Sequence, residues 1–90
     1  MTVSFDPAKD VINRAKHGLS LAQAEMGDWT AAYIAMDDRQ DYGEVRWYAY
    51  LPIDGHVHVV VYTERDWITR IISLRRANLR EVAKYDELSR

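Results

Sequence analysis

Three strand-length runs follow one another with almost nothing between them, and this limits what the chain can become. Glu44–Leu51 alternates, with Val45, Trp47, Ala49 and Leu51 on one side and Glu44, Arg46, Tyr48 and Tyr50 on the other. Pro52-Ile-Asp-Gly55 is turn chemistry. The next run, His56–Thr63, sets Val57, Val59 and Val61 against His56, His58, Val60 and Tyr62. A brief turn at Glu64–Asp66 then leads into Ile68–Leu74, whose β-branched and aliphatic content suits a buried strand. Connections this short pair neighbouring strands antiparallel, because a parallel crossover needs a dozen residues or more.

The flanking segments supply helices. Asp6 caps and Pro7 opens a first helix running to about His17, with Ala8, Val11, Ile12 and Ala15 as its apolar face and Gly18 as its stop. Ser20 and Gln23 form a capping box for a second, shorter helix that buries Leu21, Ala22 and Ala24 and ends at Gly27. Thr30–Met36 reads as a strand, Asp37–Gly43 as a polar loop, and Thr2–Phe5 as a possible short strand. Asn78 and Glu81 cap a last helix to about Leu88, with Leu79, Val82, Ala83 and Tyr85 inward. The expectation is one α+β domain over residues 1–90: two N-terminal helices, an antiparallel sheet of about four strands, a C-terminal helix, and the helices on one side of the sheet. Trp47 and Trp67 are expected in its core.

Ninety residues, 48% hydrophobic and 29% charged, fit a globular chain with a single core. No apolar run approaches the roughly 18 residues of a membrane span, and the first residues lack a leader's basic start and apolar block. With no cysteine, a reducing, cytoplasmic setting is the expectation. The net charge of −2 hides a segregation. Arg65–Lys84 carries six basic and two acidic residues, whereas the other seventy positions carry six basic and twelve acidic. Such a local positive field on an acidic body suits an anionic partner.

Arginine concentrates around the third run: Arg65 before it, Arg70 within it, Arg75 and Arg76 at its exit. The guanidinium fork matches phosphate. Each arginine also has a plainer role open to it, Arg70 in an ion pair with Glu44 or Glu64, and Arg75 and Arg76 on a solvated corner. His56 and His58 share one strand face, but without a third ligand or a cysteine they do not make a metal site.

Phe5-Asp-Pro-Ala-Lys9, Lys16-His-Gly-Leu-Ser20, Tyr42-Gly-Glu44, Val60-Val-Tyr-Thr-Glu-Arg65 and Arg70-Ile-Ile-Ser-x-Arg-Arg-Ala77 occur here in one order and at close spacing. Together they resemble the BrnT family of bacterial type II toxins, and one departure is Gly27-Asp-Trp-Thr30, where that family usually has an acidic pair followed by proline. The resemblance implies a RelE-like ribonuclease fold and RNA cleavage without a metal or other cofactor. It implies neutralisation by a BrnA-like ribbon-helix-helix antitoxin, and contact with operator DNA through that antitoxin. On this reading Arg70, Arg75, Arg76, His17, Lys16 and Glu44 are the catalytic candidates. Arg65, Thr63, Tyr62 and Tyr48 are the substrate-binding candidates, with tyrosine rings offered to unpaired bases. The competing reading is a non-catalytic nucleic-acid-binding module, or an inactivated toxin kept as a repressor subunit.

Overall fold

The computed structural model describes residues 2–90. The alternating runs become three long strands, β3 (Trp47–Ile53), β4 (His56–Arg65) and β5 (Ile68–Arg76), joined by two-residue turns at Asp54-Gly55 and Asp66-Trp67. The remaining elements are β1 (Val3–Phe5), α1 (Pro7–His17), two short 3-10 helices (Leu21–Met26 and Trp29–Ala31), β2 (Tyr33–Met36) and α2 (Leu79–Leu88). One five-stranded sheet results, in the order β1-β5-β4-β3-β2. Every pairing is antiparallel except β1 with β5, which is parallel. The α+β class holds, the short N-terminal strand read at Thr2–Phe5 joins the four others as β1, and the second helix is 3-10 rather than α.

Period-two alternation decides which side chains meet. Ala49, Leu51, Ile53, Val60, Tyr62, Ile71 and Leu74 fill one face, closed over by Leu21 and Ala24. Trp29 stands edge-on to Tyr62, at 5.4 Å between ring centres, and its indole N–H donates to the Ala24 carbonyl at 2.9 Å. Gly27 has an ordinary backbone angle of −75°, so the left-handed freedom that stops helices is not its use. It lies against the buried Leu51, where an added Cβ would fall 2.5 Å from that side chain. The Ser20–Gln23 capping box forms as expected.

Helix α1 begins and ends where its caps place it, with Asp6 accepting from the Ala8 N–H and Gly18 in the left-handed region at a φ of 72°. Its orientation reverses the expectation. Val11 and Ile12 are 58% and 63% exposed, and the buried residue is Asn13. The reason lies in the sheet. β1 ends at Phe5, opposite Ile71, so beyond that point β5 has no strand neighbour on that side. The Asn13 side-chain amide takes the vacant place. Its Oδ1 accepts from the Leu74 N–H at 3.1 Å, and its Nδ2 donates to the Leu74 carbonyl at 2.8 Å and to the Leu19 carbonyl at 2.9 Å. A side-chain amide presents the same donor and acceptor as a peptide group, so α1 docks as a one-residue extension of the sheet.

Helix α2 corrects the expectation that all helices share one side. Its Glu81 faces the opposite side of the sheet from Leu21 and Ala24, alongside Tyr50 and Val59. Leu79 points outward at 89% exposure, and Ala83 is exposed too, whereas Val82 and Tyr85 are half-buried. The Tyr85 hydroxyl anchors the helix by donating to the Ala31 carbonyl at 2.7 Å. Trp67 is a second correction: it sits fully exposed at the β4–β5 turn, whereas Trp47 packs against the core.

Candidate active site

The face of the sheet away from Leu21 and Ala24 is only partly covered: Val59 and Thr63 are buried on it, yet a groove opens over Tyr48, Tyr50, Val61, Ser73 and Arg75, and cross-strand register arranges these side chains in rows. Tyr48, Val61 and Ser73 form one row; Tyr50, Val59 and Arg75 form the next; Thr63 and Arg70 share a third on the other side. A bulge sets this grouping. Val61 pairs with Ser73 but Tyr62 pairs with Ile71, so Ile72 is the extra residue of β5. Arg75 lies five positions after Arg70, and in a regular strand that odd spacing would send them to opposite faces. The extra residue returns both to the same face. It also sends Arg76 to the core side, where its Nη2 lies 2.8 Å from His56 Nδ1.

The C-terminal end of α1 completes the site. Lys16 and His17 enter a groove of about 570 Å³ whose floor includes Tyr48, Tyr50, Val61, Ser73 and Arg75, with Asp37–Arg39 on one wall and Glu81 on another. Residues almost sixty positions apart in the chain therefore meet. Burial holds His17 below the usual imidazole range, and the positive charges of Lys16 and Arg75 push it further the same way. A histidine so placed is largely neutral at pH 7 and free to accept a proton. Burial pushes the Tyr50 hydroxyl up, so it keeps its proton.

Carboxylates border the groove as well. Arg75 binds Glu81 through two parallel hydrogen bonds of 2.7 and 2.8 Å, a contact that holds Glu81 below the usual carboxylate range. Arg39 grips the buried Asp37 in the same way, at 2.7 and 2.8 Å, and lowers its pKa. Among the described residues, Lys16 makes no ion pair.

Of the residues singled out in the sequence, Lys16, His17, Arg75 and Tyr48 converge here. Arg70 and Thr63 share the face but lie two rows from Arg75, roughly 14 Å along the strand, and Thr63 is buried there, so its hydroxyl is not presented to a substrate. Glu44 and Arg65 sit apart and bind each other, with the Arg65 Nε donating to Glu44 Oε2 at 3.1 Å. Arg65 first, then Arg46 and Arg70, keep the Glu44 carboxyl low. Arg70 makes neither of the ion pairs open to it, with Glu44 or Glu64, among the described residues. Tyr62 must be withdrawn from the stacking surface, because it is buried beneath Trp29 on the core side, with its hydroxyl pushed up to about 12 by burial. In its place the open face offers Tyr33, stacked on Tyr50 with ring centres 6.1 Å apart, and Tyr48 at 5.6 Å from Tyr50. Ser73, Asp37 and Arg39 were not singled out by sequence reasoning. Ser73 carries a signal only once the bulge is known, and Asp37 lies in a stretch that reads as a solvated loop.

No curated protein matches the chain in sequence. Compared with known families, residues 5–81 match the family described as "Ribonuclease toxin, BrnT, of type II toxin-antitoxin system". That match spans most of the ninety residues and includes every side chain of the groove, so the chain belongs to the BrnT family of ribonuclease toxins.

Proposed function

We propose that this chain is an endoribonuclease toxin that cleaves single-stranded RNA in the groove on the open face of its sheet, without a metal. The observation that carries the reading is the convergence of Lys16 and His17 from α1 with Arg75 and Ser73 from β5 beside a ladder of tyrosine rings. Cleavage within the RNA strand requires the 2′-hydroxyl to lose its proton and attack the adjacent phosphorus, with the 5′-oxygen leaving. Neutral His17 is the base for that proton. Lys16 and Arg75 stabilise the charge that grows on the phosphoryl oxygens, a type of contribution of roughly 3–4 kcal/mol for one well-placed donor. Tyr50, which keeps its proton, stands in the same groove as a donor to the leaving oxygen. Flanking bases stack on Tyr48, Tyr50 and Tyr33, which favours unpaired RNA. Arg70 is too far from Arg75 to share its phosphate and holds a neighbouring one instead.

On this reading the scaffold is RelE-like and the protein works in the cytoplasm, where it arrests translation and growth. A BrnA-like ribbon-helix-helix antitoxin neutralises it, and the two together repress their own operon. The test is incubation of the purified chain with single-stranded RNA in the presence of a chelator, beside His17→Ala and Arg75→Ala. Cleavage that persists in chelator and disappears in both variants is the expected result. Activity that vanishes on chelation, or that neither substitution affects, would overturn it.

A further inference from the structure

Helix α1 is amphipathic the wrong way round for a helix that docks by apolar contact. At 100° per residue, Asp10, Asn13 and His17 form the face that meets the body. Ala8, Val11, Ile12 and Ala15 lie on the opposite side as a continuous stripe, all exposed. Isolated exposed apolar residues are ordinary, but a contiguous stripe along a whole helix marks an interaction surface. The monomer makes no use of it, since α1 is held by its Asp6 cap, by Asn13 on β5 and by Asp10 accepting from the Leu21 N–H at 2.7 Å.

The stripe does not stand alone. Ile12 faces Ile72, the residue extruded by the β5 bulge, across a cleft of about 230 Å³ framed by Lys9 and Lys16. Lys16, His17 and Ser73 line both this cleft and the main groove, so the two surfaces are continuous. Lys9 and Lys16 flank the stripe on one side, and Arg14, whose Nε pairs with Asp10 at 3.3 Å, lies on the other.

We propose that the α1 stripe and the Ile12–Ile72 cleft are the seat of the protein antitoxin, which binds there through an apolar segment with acidic flanks. The proposal rests on the reading of the chain as a toxin. An occupant of this seat needs no rearrangement to reach Lys16 and His17, and so binding and inhibition become one event. Charge selects the partner: a second copy of the chain, paired antiparallel and stripe to stripe, would set Lys9 and Lys16 against their own counterparts, and like charges facing across an interface oppose association.

The test uses the double variant Val11→Glu/Ile12→Glu in the full chain, with the protein encoded beside this chain's gene as the probe. Both side chains are largely in solvent, so the thermal melt and RNA cleavage are expected to match wild type. Affinity for the probe, measured by calorimetry, should fall about 100-fold or more, the scale of losing two interface anchors. The variant should then arrest growth even when the probe is co-expressed. Lys9→Glu should weaken the same binding about tenfold on its own. Affinity of the double variant within about twofold of wild type would overturn the proposal. So would a wild-type dimer, seen by light scattering, that the variant abolishes while binding the probe normally, since the seat would then belong to a second copy. Wild-type chain that binds the probe but leaves RNA intact removes the catalytic reading, whereas the calorimetry still decides the docking surface.

Discussion

Arg75, at the end of β5, and Glu81, in the first turn of α2, form a two-pronged ion pair within the groove, with nitrogen–oxygen distances of 2.7 and 2.8 Å. Glu81 thus occupies the donors that a phosphate would use, and it also closes the α2 capping box by accepting from the Asn78 N–H at 2.9 Å. Glu81→Gln keeps an oxygen for the cap but removes the charge. RNA carrying 2′-O-methyl groups, which cannot be cleaved, is expected to bind this variant several-fold more tightly than wild type. The stability cost should be small, about 1 kcal/mol, because the pair is partly in solvent. Since the folded-state pKa of Glu81 is depressed, its contribution to wild-type stability is present above the unfolded carboxylate pKa and is lost as pH falls through the folded value. Melts from pH 6 to pH 3 should therefore narrow the gap between wild type and variant. Weaker RNA binding by the variant would show instead that Glu81 orients Arg75 for substrate.

His17 gives a pH signature. A general base must be deprotonated, so cleavage should rise with pH through the pKa of His17 and then level off. Burial, Lys16 and Arg75 all lower that pKa, which places the rise below the ordinary imidazole value of about 6.5 and leaves the rate flat through pH 7. His17→Ala should remove the rise and cost about 10²–10⁴-fold in rate. Lys16→Gln removes one of the charges that depress His17, so its residual activity should rise at higher pH than in wild type. A rise unmoved by Lys16→Gln would assign the proton transfer to another group.

The strands were legible because alternation survives whatever packs on it: the faces of β3 and β4 are those read from Trp47–Leu51 and His56–Thr63. The limits of α1 were legible too, because Asp6, Pro7 and Gly18 act locally. Its buried face was not, because periodicity assumes docking by apolar contact and α1 docks through an amide. Of the groove's lining, Lys16, His17, Tyr48 and Arg75 could be named, but Ser73, Asp37 and Arg39 could not, and neither could the grouping. Whether Arg70, Arg75 and Arg76 share a face depends on one unpaired residue at Ile72, and nothing in the run Ile68–Leu74 distinguishes a bulged strand from a regular one.

Asn13 offers a test of that amide dock. Asn13→Ala leaves the Leu74 N–H and carbonyl buried without their partner, which should cost about 2–4 kcal/mol in urea unfolding. Asn13→Asp retains an acceptor for the Leu74 N–H, but it turns a carboxylate toward the Leu74 and Leu19 carbonyls. That environment raises the folded-state pKa of the new carboxyl. Asn13→Asp should therefore come closest to wild type at about pH 4 and lose stability as pH rises above its unfolded value. A variant that is equally stable at pH 4 and pH 7 would mean that α1 swings away from β5.

The β4–β5 turn can be improved without touching the site. Asp66 and Trp67 both adopt left-handed angles, φ of 51° and 67°, and Trp67 buries nothing in return. Two-residue hairpin turns of this kind favour Asn-Gly, because a side chain at positive φ crowds its own backbone by about 1–2 kcal/mol per residue. Glycine's greater freedom in the unfolded chain offsets part of that gain. Asp66→Asn/Trp67→Gly should therefore be more stable than wild type by about 1 kcal/mol, a rise in melting temperature of about 4–8 °C for a domain this size. RNA cleavage should be unchanged, because the turn lies outside the groove. A lower melting temperature would mean that the exposed indole contributes to the folded chain after all, while lost cleavage with an unchanged melt would make Trp67 part of the RNA-binding surface.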